Sequence, residues 1–392
     1  MIDPVRFRLR QQSRNSINAN QTMHHPKRHN RREFLIATAA SASVLWNRRG
    51  CAREVADENR KFALHAWERD ARNPIFVPRS EFDASGAQGP CVVRHDGQWW
   101  MFYAGIGKDG IQRICLATAN PERPTDWERH GPILDLGAKD AFDERSATYP
   151  CVHRIGGKWH LYYSGRSSRE GKQHFSNYWG IGLAQSDDLR HWMKHSAEPV
   201  LQGDGIKEYP NCEALVGLGN IIDLPQPDGR TLHRLYYTLL PGLKDPHYIA
   251  NGTWHVIEHK VCVAAHTYDG IEWSDRRIVL ERRRDVATED IGVVGLNVWK
   301  TEKGYRGIYT GLGTKFKTYA LAEAVSFDGL TWNRGADQEN VSLTLQSGKW
   351  DGGMIGYPCV LPEDGKLRLF YNGSGGGGTG IGMAVATMLE HD

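Results

Sequence analysis

The sequence predicts an all-β protein, a five-bladed β-propeller over residues 62–392. Three observations carry that expectation. Phe82-Asp83 leads to Pro90-Cys91-Val92, and the same Asp-to-Pro step of seven returns at Phe142-Asp143 to Pro150-Cys151-Val152 and at Trp350-Asp351 to Pro358-Cys359-Val360. Each of these openers is followed by a tyrosine strand, and each tyrosine strand has a matching tryptophan-led strand. The composition, with 43 Gly, 13 Trp and 15 Tyr in 392 residues, is rich in turn formers and aromatics, as many short strands require. A motif restated at near-regular intervals is an internal repeat, and repeats of this length read as propellers or solenoids.

The first strand of each unit follows the Pro-Cys-Val opener. A turn at Asp96-Gly97, Gly156-Gly157 or Asp364-Gly365 links it to the second, as in a tight hairpin. Second strands are Gln98–Gly105 and Lys158–Gly165, with the matching cores Arg234–Thr238, Gly307–Gly311 and Leu369–Gly373. Third strands are small and apolar: Ile114–Ala117, Ile181–Ala184, Val261–Ala264, Ala320–Glu323 and Ile381–Ala384. Fourth strands start at Trp127, Trp192, Trp273 and Trp332. The last unit runs out after its third strand, and the missing one lies at the other end of the chain, at Ala66-Trp67-Glu68-Arg69. An exchange of that kind closes the ring and removes an open sheet edge. The third unit carries insertions around residues 224–229 and 241–253, loops of the sort that shape a binding face.

Residues 1–55 read as a leader. Asn30-Arg31-Arg32-Glu33-Phe34-Leu35-Ile36 and the apolar run to Trp46 resemble a twin-arginine export signal, and Met23 would give it a more ordinary start than Met1. The apolar run is too short for a membrane anchor. The expected location is therefore the periplasm or the medium. Net charge is +3, concentrated in the basic leader, which argues against a nucleic-acid partner. The seven cysteines show no metal-binding Cys-x-x-Cys spacing, and the three at the repeat position read as core thiols. A monomer is expected.

Two motifs are set aside. His255-Val256-Ile257-Glu258-His259 matches an inverted zinc-protease pattern but lies in β-rich sequence where that motif needs a helix. The glycines of 373–382 precede no helix and read as a hairpin.

The succession Pro-x-Val, Tyr-Tyr-x-Gly, Ile-Gly-x-Ala and Ser326-x-Asp328-Gly329-x-x-Trp332 resembles the five-bladed propeller glycoside hydrolases, the superfamily of arabinanases, β-xylosidases, levansucrases and invertases. The resemblance implies cleavage of a glycosidic bond in the central funnel by two carboxyl groups, one acid and one base or nucleophile. It places the general acid at Glu213, in Cys212-Glu213-Ala214-Leu215, with Glu208 as a competitor. The base position before the first Pro holds Gly89, so Asp83 is the nearest carboxylate there, and Asp143 is its counterpart in the second unit. An acid catalyst gains from an apolar setting that raises its pKa, and Glu213 opens an apolar stretch.

Repetition argues the other way for Asp83, Asp143 and Asp351: a residue shared by several blades serves the blade. Glu289 falls on the same phase. A ring of such acids could hold a structural cation such as Ca2+ on the axis, although no cofactor is required and no protein metal ligands are assigned. Residues that break the repeat are the better site candidates: Glu208, Glu213, Asp290, Arg145 and Arg166, the arginines suiting an acidic or highly hydroxylated substrate. Tyr149 and Tyr357, immediately before the repeat prolines, complete the substrate-binding set. The expected function is an exported, inverting glycosidase with a carbohydrate substrate. The alternative is a non-catalytic carbohydrate-binding propeller, favoured by Gly89.

Overall fold

The computed structural model describes residues 63–168, 179–203, 206–209, 213–214, 219–240, 260–335 and 340–389; the side chains of Trp179, Glu213 and Ala214 are not among those described. Five antiparallel sheets follow one another along the chain. Blade one comprises Gly86–His95, Gln98–Ile106, Gln112–Ala119 and Glu128–Pro132. Blade two comprises Ser146–Ile155, Lys158–Arg166, Trp179–Ser186 and Met193–Lys194. In blade three the innermost strand is split into Glu213–Ala214 and Ile221–Pro225, both paired with Thr231–Leu240, and Val261–Thr267 and Ser274–Leu280 complete it. Blade four comprises Gly292–Thr301, Gly304–Gly313, Thr318–Ser326 and Val341–Leu343. Blade five comprises Gly356–Glu363, Lys366–Asn372 and Ile381–Thr387, and Glu68–Arg69 from the start of the described chain adds its fourth strand. The Trp-led segment of blade four differs from expectation: it contributes only a bridge at Asn333, and Val341–Leu343 forms the ladder.

Each sheet is too small to bury its own faces, so the apolar clusters lie at the seams. One cluster joins Trp99, Met101 and Tyr103 of blade one to Phe370, Ile381 and Met383 of blade five. Another joins Phe102 and Leu116 of blade one to Val152, Leu161 and Tyr163 of blade two. The inner strands of neighbouring blades do not share a ladder. A recurrent hydrogen bond crosses each seam instead, from a backbone N–H to a side chain at the position after the repeat proline. Val92 donates to Cys359 Sγ at 3.2 Å, Val152 to Cys91 Sγ at 3.3 Å, and Ile221 to Cys151. Val298 donates to Asn220 Oδ1 at 2.8 Å and Val360 to Asn297 Oδ1 at 3.1 Å. The repeat thiols are thus acceptors that a buried N–H needs, and blades three and four supply Asn in the same place.

The leading loops are tied down by a second repeated unit. Asp83 accepts from Tyr103 Oη at 3.0 Å and Arg129 Nε at 3.2 Å. Asp143 accepts from Tyr163 Oη at 2.9 Å and Lys194 Nζ at 2.6 Å. Asp351 accepts from Tyr371 Oη at 3.2 Å and Arg69 Nε at 2.8 Å. Glu289 accepts from Tyr309 Oη and, at 2.6 Å, from Arg334. In every case the acid precedes its tyrosine by 20 residues, and the cation sits two residues after the Trp of the fourth strand. A glycine two residues beyond each tyrosine makes room for the loop: a Cβ on Gly165 would lie 2.3 Å from the Phe142 ring. Blade three has Leu239 at the glycine position and Asp275 at the cation position. The residue 20 before Tyr237, Gly217, lies outside the described residues.

Candidate active site

The site is built at the break in the innermost strands. Each of blades one, two, four and five has a register shift there, between Gln88 and Cys91, Thr148 and Cys151, Val294 and Asn297, and Gly356 and Cys359. The residue in each bulge has a positive φ: Gly89 at 64°, Tyr149 at 51°, Gly295 at 64° and Tyr357 at 55°. Glycine adopts that conformation freely, whereas a bulky side chain there is an outlier, and such outliers gather at functional sites. The bulge N–H groups are held from the preceding blade: Gly89 by Asn372 Oδ1 at 2.7 Å, Gly295 by Thr238 Oγ1 at 3.0 Å, and Tyr357 by Thr310 Oγ1 at 3.0 Å.

The two strained tyrosines meet. Tyr149 of blade two and Tyr357 of blade five have ring centroids 5.5 Å apart. These blades are not neighbours, so the contact crosses the propeller axis. Tyr319 of blade four packs edge-on to Tyr357 at 5.8 Å, and its hydroxyl accepts from Lys260 Nζ of blade three at 2.9 Å. Ile291, Val294, Leu312 and Met354 surround this group. Burial, with the neighbouring Tyr149 and Tyr319 hydroxyls, pushes the Tyr357 phenol well above its ordinary range, so it stays neutral. Tyr149 is only partly buried. Beside it, Ser146 and Thr148 carry buried hydroxyls without a hydrogen-bond partner among the described residues. Sequence reasoning did not single out Lys260, Tyr319, Ser146 or Thr148. The lysine and Tyr319 each open a third strand, a position whose importance only the curvature of the ring reveals.

Among the proposed catalytic carboxylates, Asp83 and Asp143 are both buried and bound to a tyrosine and a cation within their own blade. Burial raises the Asp83 carboxyl, but the N–H groups of Arg79 and Ser80 and the Tyr103 hydroxyl outweigh it and hold the group below its ordinary value. Glu208 is exposed in the turn Ile206–Tyr209. Glu213 pairs with Leu240, one step beyond Ala214 and Leu239. By register it is equivalent to Ser146, which pairs with Arg166, and to Met354, which packs with Tyr357. Its backbone is thus at a funnel-lining position; its side chain lies outside those described. The His255–His259 motif also lies outside the described residues.

Asp290 is buried and accepts from the Thr314 N–H at 2.8 Å and the Thr314 hydroxyl at 2.7 Å. Glu144 makes the same pair of bonds with Ser168, and these bonds hold the Glu144 carboxyl down to about 2. The repetition shows Asp290 fastening its loop as Glu144 does. Arg145 and Arg166 are brought together at the top edge of blade two, the Arg145 N–H donating to the Arg166 carbonyl at 2.9 Å. Burial and then the Arg145 charge lower the Arg166 pKa. Two crowded guanidinium groups favour an anionic or hydroxyl-rich ligand.

No protein-family signature matches the chain. It is 34% identical over 151 residues to a 1,2-β-oligomannan phosphorylase of Thermoanaerobacter, a match covering 37% of this chain and 41% of that one. It is 26% identical over 339 residues to a protein of Mycobacterium tuberculosis, covering 82% of this chain and 99% of the relative. Among solved structures, a glycosyl hydrolase from Bacteroides ovatus superposes with a TM-score of 0.60 at 17% identity, covering 83% of this chain and 95% of the other. A structure described with a family of mannoside phosphorylases, which contains hydrolases of β-1,2-mannosidic linkages in Candida mannan, gives 0.58 at 17% identity, with 84% and 98% covered. The fold of this chain is that of the five-bladed propeller glycoside hydrolases.

Proposed function

We propose that the protein is an enzyme that cleaves glycosidic bonds of an oligo- or polysaccharide bound in the propeller funnel. The observation that carries this reading is the Tyr149–Tyr357 contact, two bulky side chains kept at positive φ where two other blades have glycine. Aromatic rings with neutral hydroxyls suit the apolar faces and hydroxyl edges of a sugar. Glu213 is the general acid in this reading, from the blade that carries Leu239 and Asp275 at the repeated glycine and cation positions. Arg145 and Arg166 bind the hydroxyls or anionic groups of the substrate, and the reaction inverts the anomeric centre. The nearest chemistry suggested by relatives is β-1,2-linked mannooligosaccharides, split by water or by phosphate. The N-terminal 55 residues direct the propeller, residues 62–392, out of the cytoplasm by the twin-arginine route, where it acts as a monomer.

A panel of mannooligosaccharides and plant oligosaccharides, each incubated with and without phosphate, tests this. Product formation that is lost in Glu213→Gln supports it, and NMR of the first product anomer reads the stereochemistry. Turnover unchanged in both Glu213→Gln and Glu208→Gln would sink the assignment. A second reading, saccharide binding without cleavage, is favoured by the internal ion pairs that occupy Asp83, Asp143, Glu289 and Asp351. Binding without product in the panel would select it.

A further inference from the structure

On the other side of the molecule, blades two and three meet through three metal-ligating side chains. His153 belongs to the inner strand Ser146–Ile155, three residues before the hairpin turn at Gly156-Gly157. Asp223 and His233 are directly opposite each other in the first hairpin of blade three. All three lie at the strand-one to strand-two hairpins, and therefore on the face opposite the leading loops and the funnel mouth. His153 Nε2 is 2.8 Å and His233 Nδ1 is 2.7 Å from the same oxygen, Asp223 Oδ1. The ring centroids of the two histidines are 5.8 Å apart. The three donor atoms fall within 4.8 Å of one another.

We propose that His153, Asp223 and His233 form a binding site for a divalent transition metal of the zinc class, clamping blade two to blade three. Two imidazole nitrogens and one carboxylate oxygen are the donors such borderline ions take, with solvent filling the fourth position of a tetrahedron. Bonds of about 2.0–2.2 Å in a tetrahedron put neighbouring donors about 3.3–3.6 Å apart, so the two His–Asp contacts of 2.8 and 2.7 Å must open by roughly half an ångström to admit the ion. The site is equipped for it: His233 is nearly buried and fixes one ligand, while the Asp223 carboxylate is half exposed and free to swing. The strands also hold the backbone of each ligand in place. His160, opposite His153 in the ladder and with Nε2 2.9 Å from the Gln185 amide, packs behind the site and limits how far His153 can turn. Mg2+ would not be held, because it prefers oxygen donors.

The test uses the full chain, stripped with EDTA and dialysed against Zn2+. One more equivalent of zinc is expected in the wild type than in Asp223→Asn or His233→Gln. The melting midpoint should rise by roughly 2 °C or more with Zn2+ but not with Mg2+, in the wild type alone. Histidines of the leader, His24, His25 and His29, are common to all three proteins and cancel in the difference. Melting curves in EDTA establish that the variants are folded. Co2+ added to the wild type gives an independent reading through its visible absorption, which should shift in His153→Gln. Equal zinc content and equal midpoints across the wild type and both variants would overturn the site, leaving a hydrogen-bonded His–Asp–His seam.

Discussion

Lys194 Nζ donates to the buried Asp143 carboxylate at 2.6 Å, while blade three places Asp275, an acid, where Lys194 stands in blade two. The contrast separates fastening from chemistry within one chain. Removing the cation leaves Asp143 charged and uncompensated in a buried loop. Lys194→Met is expected to cost about 2–3 kcal/mol, the lower end for a broken buried pair because the lysine keeps some solvent contact. The double variant with Asp143→Asn should recover part of the loss. Urea midpoints measure both, and a strictly additive pair would contradict the coupling.

Acid should loosen the loop of blade one through Asp83. Its folded pKa lies below its ordinary value, so the carboxylate contributes stability that is complete above the unfolded pKa of about 4. That contribution is lost as the pH falls through the lower, folded value. Asp83→Asn should therefore flatten the fall in stability below about pH 4 and lower stability at pH 7. Denaturant titrations at pH 3 and pH 7 compare the slopes; parallel wild-type and variant profiles would count against this role.

Tyr149→Gly tests the funnel without straining the backbone, since glycine accepts the φ of 51° that tyrosine tolerates at a cost. Relief of that strain, of order 1 kcal/mol, offsets much of the lost ring packing. Stability is expected to change little, while saccharide affinity falls at least tenfold by calorimetry. An unaltered affinity would remove Tyr149 from the site.

The thiols at the seams should be chemically silent. Burial pushes Cys91 well above its ordinary value, Cys359 up to about 11, and Cys115, Cys151 and Cys262 up to about 12. Because thiolate is the reactive form, a disulfide reagent at pH 8 should modify none of these in the native protein. Cys51 and Cys212 lie outside the described residues, so a native count above two of the seven would refute the expectation. Cys91→Ala removes the acceptor of the Val152 N–H and should cost about 1–2 kcal/mol. Cys91→Asn should cost less, because Asn220 and Asn297 do the same job two seams away.

Gly165→Ala should be among the most disruptive small substitutions in the chain. Its Cβ would come within 2.3 Å of the Phe142 ring and 2.8 Å of the Asp143 Cβ, so the tied loop must lift. A loss of about 2–4 kcal/mol is expected by thermal or urea unfolding. Blade three carries Leu239 at the equivalent place.

Blade count and ring closure were legible in the sequence because they rest on residues that recur: the tyrosine of each second strand, the Trp of each fourth, and Trp67 at the far end. The Asp83 family was legible as architecture for the same reason. Its cationic partners Arg129, Lys194, Arg334 and Arg69 also recur, two residues after Trp, yet a repeat of charge on a short outer strand reads as solvent exposure. Asn220 and Asn297 were missed as members of the cysteine ring because their chemistry differs while their hydrogen bond does not. The axial cluster was legible only in part. Tyr149 and Tyr357 stand out before the repeat prolines, but their contact with each other and with Tyr319, and the bond from Lys260 to Tyr319, join four blades that only the closed ring brings together.

The fourth strand of blade five also governs how the molecule can form. Glu68 and Arg69 pair with Val385 and Ala384, and the Asn73 side chain bonds the backbone of Met383 across 310 positions of the chain. Trp67 and His65 reach further, to the buried Glu323 of blade four. Four blades are made of contacts local in sequence and can assemble as they emerge during synthesis, but the last waits for the final strand, and its loop-closure entropy is spent in one late step. Until then Ile381–Thr387 presents an unpaired edge, the kind that recruits a second chain. A circular permutant opened between blades, with residues 68 and 387 joined through a linker, would turn that last step into a local hairpin. It should refold faster and with less aggregation than the natural order of the chain.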